Sequence, residues 1–66
     1  MDCTNQEAFP KIEPPPGSSA AVRQCYLDRY AAFLSACQAC GTNEECKITA
    51  YATYAAYISE CDTPTE

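Results

Sequence analysis

Cys37-Gln38-Ala39-Cys40-Gly41-Thr42-Asn43-Glu44-Glu45-Cys46 is the stretch that decides the fold. Good helix formers precede it from Ser18 onward, and a second run of them follows to Cys61. Gly41 tolerates the left-handed conformation that ends a helix. Thr42 and Glu45 stand three apart, the spacing of a capping box. Glu44 and Glu45 put negative charge where the new helix dipole is positive. So short a link forces the helices on either side to lie antiparallel. The sequence therefore predicts a first long helix over 18–40, a second over 42–62, and a helical hairpin between them.

Ser18 or Ser19 can cap the first helix. Val22, Tyr26, Phe33 and Cys37 recur at or near helical spacing on one side, with Tyr30 beside them, whereas Arg23, Gln24, Asp28 and Arg29 fall largely elsewhere. Eleven alanines, most of them in the two helices, permit close backbone approach. The second helix should end near Asp62 to Pro64.

Residues 1–17 differ in kind. Four of the five prolines fall here (Pro10, Pro14, Pro15, Pro16), and Gly17 closes the stretch. Glu13 to Pro16 should be extended, because proline fixes φ and disfavours helix in the residue before it. Thr4 to Phe9 has room for one or two helical turns, capped by Thr4 or Asn5. The expected architecture is all-α: a small disulfide-stapled bundle of two long antiparallel helices, a short N-terminal helix or turn, and a proline-rich arm folded over them.

Six cysteines in 66 residues suggest three disulfides in one small domain of an oxidising, extracellular setting. A chain this short withdraws only about 60% of its unfolded surface from water, so cross-links supply what the core lacks. Asp2 and Cys3 follow Met1 with no apolar stretch behind them, so the chain reads as a mature segment and secretion is inferred from the cysteines. Hairpin geometry pairs Cys25 with Cys61 at the open end. Near the turn, Cys46 has a choice between Cys37 and Cys40. The equal steps from Cys25 to Cys40 and from Cys46 to Cys61, roughly 22 Å of helix each, favour Cys40. The short loop such a bridge closes argues for Cys37. Whichever is left joins Cys3.

Composition excludes several functions. A formal charge of −5 and a pI near 4.4 argue against nucleic-acid binding, which needs a basic face, and against insertion into anionic membranes. No run of about 18 apolar residues exists to span a bilayer. Cys37 and Cys40 form a CxxC, but near a helix C-terminus, where the dipole has the wrong sign to activate a thiol. One such pair without histidine does not make a zinc site. The carboxylates are scattered and there is no triad base, so the chain is read as neither enzyme nor metalloprotein, with no cofactor. Pro14 to Pro16 read as a stiff arm.

Tyr51, Tyr54 and Tyr57 recur every three residues on the second helix. A step of three drifts about 60° against the helical turn, so the stripe winds off the core line and should leave a ring partly exposed. Amphipathic rings suit protein contacts, which makes these three the candidate partner-binding residues, against the plain alternative that they fill the hairpin edge.

Asp2-Cys3 near the start, then Ser35-Ala36-Cys37-Gln38-Ala39-Cys40 and five residues to Cys46, resembles the secreted mating pheromones of Euplotes ciliates. The likeness covers the cysteine skeleton and residues 35–46. The long Cys3-to-Cys25 interval, with its prolines, departs from the shorter members, and the last two helices are longer. The resemblance implies a three-helix up-down-up bundle with bridges Cys3–Cys40, Cys25–Cys61 and Cys37–Cys46. It also implies a water-borne ligand that binds a cell-surface receptor, signals mating type, induces mating or growth, and self-associates through helix faces.

Two other classes compete. A coiled-coil–helix–coiled-coil–helix assembly protein of the mitochondrial intermembrane space also nests its disulfides, although its usual intra-helix cysteine interval is shorter; a Cys40–Cys46 bridge would favour that class, and Cys37–Cys46 the pheromone. A disulfide-rich hairpin inhibitor of a hydrolase would want a longer exposed loop than Gly41 to Asn43 supplies.

Overall fold

The computed structural model describes residues 2–61, and the helix end expected near Asp62 to Pro64 lies outside them. Two helices, α1 (Ala20–Ala39) and α2 (Glu44–Cys61), pack against each other, with no strand among the described residues. A bridge from Cys25 to Cys61 joins the start of α1 to the end of α2, and one from Cys40 to Cys46 joins the opposite ends. The pair is therefore an antiparallel hairpin.

Its ends follow from local chemistry. Ser19 caps α1, its hydroxyl accepting from the Val22 amide at 3.2 Å. At the other end the Gly41 amide donates to Gln38 O at 3.2 Å, and Gly41 turns the chain at φ +64°. The cap of α2 is Asn43, not Thr42: Asn43 Oδ1 accepts from the Cys46 amide at 3.0 Å, and α2 begins at Glu44. Adjacent residues with competent side-chain oxygens stood one step apart, and Asn43 has the one that reaches the third helical amide.

The arm makes turns, not a helix. Asn5 Oδ1 accepts from the Glu7 and Ala8 amides at 2.9 and 3.4 Å, and Phe9 N–H reaches Asn5 O at 2.8 Å. Thr4 instead donates its amide and hydroxyl to Asp2 Oδ1. Pro10 cannot continue the ladder, so one turn is all that forms. Further on, Ser18 N–H donates to Pro15 O at 3.2 Å across Pro16 and Gly17, with Gly17 at φ +84°. Proline then a positive-φ glycine at the two central positions is the signature of a type II turn. It reverses the extended arm into α1.

The core lies between the hairpin and the arm. Tyr26, Phe33 and Cys37 from α1, Tyr54, Ile58 and Cys61 from α2, and Cys3 and Phe9 from the arm are buried together. Val22 and Tyr30 lean on the same cluster, which accounts for the apolar spacing along α1. Lys47 is also buried, its ammonium 3.4 Å from Glu44 one turn back.

Two of the three bridges differ from the pairing the resemblance implies. Cys3 joins Cys37, not Cys40, and Cys46 joins Cys40, not Cys37. Cys37 is fully buried on the stripe that carries Tyr26 and Phe33, so its sulfur faces the space the arm fills. Cys46 is exposed, one residue off the α2 core line that runs through Lys47, Tyr54, Ile58 and Cys61. It sits at the rim, where the half-buried Cys40 meets it at a Cα–Cα distance of 5.5 Å. That separation is ordinary for a disulfide, so the short loop is no obstacle.

Candidate functional site

The tyrosines of α2 divide between two faces of the hairpin. Tyr51 and Tyr54 belong to the arm: Tyr51 donates its hydroxyl to Pro10 O at 2.8 Å, and Tyr54 Oη accepts from the Ile12 amide at 2.9 Å. Tyr30 on α1 does likewise, accepting from Gln6 Nε2 at 3.4 Å. Their rings close around Phe9 and Phe33. Phe9 lies 5.6 Å from Phe33 and 5.4 Å from Tyr51, and Phe33 stacks on Tyr54 at 5.4 Å. Such pairs are worth about 0.5–1.5 kcal/mol each beyond the area they bury. Burial holds the Tyr54 phenol above its ordinary pKa, although the Ile12 amide pulls the other way.

Tyr54 is thus core, and Tyr51 is half-buried under the arm. Both are held by the arm, so the expectation that the three rings together offer a contact surface is corrected: they do not share one exposed face. Tyr57 alone is on the surface, 45% exposed, with the Arg29 guanidinium 5.0 Å over its ring. The step of three explains the division: a ring on the arm side, a ring in the core, and a ring past the edge.

Tyr57 borders the face that the arm leaves bare. There a shallow groove of about 220 Å³ runs between the helices, walled by Arg29, Ala32, Ala36, Thr53 and Tyr57 and floored by Phe33 and Tyr54. Small residues at Ala32 and Ala36, one turn apart, keep the helices close and the surface low. Arg29 is the one residue of this wall with a formal charge. Arginine and tyrosine are the residue types most often found to dominate protein contacts, because they offer area and hydrogen bonds at small entropic cost. Spacing along α1 places Arg29 only off the core side; its pairing with Tyr57 across the helices depends on register, which spacing does not fix.

Among the described residues no group of three or more His, Cys, Asp or Glu side chains could hold a metal ion, and all six cysteines are bridged. No helix among them is long and apolar enough to cross a membrane. Three disulfides fit an oxidising compartment. The chain matches no protein-family model, and no curated protein or solved structure gives a significant match to it.

Proposed function

We propose that this protein is a secreted, diffusible signalling ligand of the mating-pheromone type, one that binds a cell-surface receptor through the bare face of its hairpin. The observation that carries the reading is a small acidic shape held by three disulfides, with an exposed Tyr57 and its Arg29 partner at a groove between packed helices. Such a shape loses little conformational entropy on docking. The cysteine order and the run over 35–46 support it from the sequence side. Self-association through helix faces belongs to the same proposal, as do secretion and the absence of catalysis.

A second reading has an observation in its favour. Cys40–Cys46 nested inside Cys25–Cys61 is the arrangement of an intermembrane-space coiled-coil–helix–coiled-coil–helix protein. Against it stand the intervals of fourteen residues between those cysteines in each helix, wider than such hairpins use. A third bridge that straps a separate arm also goes beyond a plain four-cysteine hairpin.

Purified oxidised protein added at nanomolar to micromolar levels to ciliate cells of a compatible type should elicit pairing or growth. A flat response, together with import into isolated mitochondria under oxidising relay, would transfer the assignment to the second reading.

A further inference from the structure

We infer that a second groove, between the arm and α1, binds one carboxylate carried beside an apolar side chain on a partner protein segment. The groove encloses about 190 Å³ and is lined by Lys11, Ile12, Glu13, Pro14, Arg23 and Leu27, with Tyr26 behind them. That volume is below the roughly 300 Å³ at which small-molecule sites begin, so it suits one or two side chains and not a cofactor.

The charge distribution names the occupant. The chain has four basic residues against nine acidic ones. Lys47 is buried beside Glu44, and Arg29 lies over Tyr57 on the other face. The remaining two, Lys11 and Arg23, both line this groove. In a molecule of net charge −5, it is the groove where two of the four lysine and arginine side chains meet. Each already has one contact. Arg23 Nε donates to Ser18 O at 3.2 Å, which leaves its two Nη groups for a bidentate carboxylate. The Lys11 ammonium lies 5.5 Å over the Tyr30 ring. Glu13 opposes a second negative group, so the groove takes one acid and not an acidic run.

The apolar half of the occupant follows from Leu27. It is 49% exposed, one of three large apolar side chains so placed among the described residues, and it forms the groove wall with Ile12 and Pro14. An acid next to a leucine-like side chain satisfies both halves at once. A partner segment of this chemistry would engage the protein on the arm side, whichever receptor or assembly reading holds.

The test is direct binding to the intact oxidised protein, which no cellular response enters. Amide chemical shifts of the ¹⁵N-labelled protein are followed during titration with acetyl-Leu-Glu-amide and, separately, with acetyl-Leu-Gln-amide. Saturable shifts should centre on Ile12, Glu13, Arg23 and Leu27, with about tenfold weaker binding of the neutral peptide, the usual loss for a charge-assisted hydrogen bond. R23Q should abolish that preference, and E13Q should strengthen binding of the acidic peptide. Both residues are exposed, so the amide spectrum otherwise stays native. Equal affinity for the two peptides, shifts located elsewhere, or no saturable shift overturns the proposal. Hexanoate binding as tightly as the acidic peptide would overturn its peptide component.

Discussion

The two faces of the hairpin solve the same problem differently. Two helices alone make a thin molecule with little interior. On one face the arm supplies the missing layer: Cys3 and Phe9 are buried against Phe33 and Cys37, and three tyrosine hydroxyls bond arm groups at Gln6, Pro10 and Ile12. On the other face no further layer is added by the described residues. Alanines bring the helices together and leave Tyr57 and Arg29 beside a shallow groove. The contrast teaches that stability is concentrated on the covered face, which frees the bare one to be chosen for contact.

Removing the strap tests that division most severely. The double substitution C3S/C37S opens a loop of 34 residues, worth about 4 kcal/mol in the chain-entropy account of disulfides, and also uncovers Phe9 and Phe33. C40S/C46S opens a separation of only 6 residues, worth about 2 kcal/mol. Urea unfolding of the two variants should rank them in that order. Near-ultraviolet circular dichroism should change far more for the first, because its aromatic cluster loses a wall. A gap no larger than the about 2 kcal/mol that loop entropy alone supplies would mean that the arm contributes nothing beyond its crosslink, and the comparison of faces would fail.

A smaller effect separates hydrogen bonding from packing on the covered face. Y54F keeps the ring stacked on Phe33 but leaves the Ile12 amide without its acceptor. A loss of about 1 kcal/mol is expected, with faster amide exchange at Ile12 as its local signature. An unchanged exchange rate there would show that the arm is held by sulfur and rings alone.

The burial of the same ring gives the molecule an alkaline limit. Burial raises the Tyr54 pKa above its ordinary 10.0. A group whose pKa is raised on folding contributes stability that is complete below its unfolded value and is lost as pH rises through the folded one. Stability should therefore decline above about pH 10, as a phenolate forms in a buried site and the Ile12 amide, which donates to it, offsets only part of the cost. A 295 nm titration should include an ionisation above the ordinary phenol range, and Y54F should remove it. Asp2 behaves oppositely, its pKa lowered by the Thr4 amide and hydroxyl, so the turn at residues 2–5 loosens as pH falls through the acid range.

Much of this frame could be read from residue order. Gly41, the two glutamates and the apolar spacing on α1 place a hairpin where one exists, since each acts within a turn or two of itself. The failures all concern choices between near neighbours. Thr42 and Asn43 both have acceptors, and which one caps depends on a single peptide's rotation. Cys37 and Cys40 lie one turn apart on one side of α1, so only the position of the arm decides which meets Cys3. The tyrosine stripe posed the same difficulty: its drift was legible, but not which ring would pass beneath the arm. The groove at Lys11 and Arg23 could not be seen at all, because it exists only once residues distant in sequence are docked.

The smallest expected change in stability falls on the bare face. Y57S removes a half-exposed ring and one surface cation–π contact with Arg29, interactions worth about 0.5–1 kcal/mol together. Unfolding by urea should hardly register it. If the bare face is what a receptor reads, the same substitution should depress the cellular response by tenfold or more, the usual consequence of truncating a central aromatic contact. Y51F on the covered face should show the converse: a measurable loss of stability with the response intact at temperatures where the variant stays folded. Should Y57S leave the response untouched and Y51F abolish it, the covered face would be the active one, and the arm would have to move for the protein to be recognised.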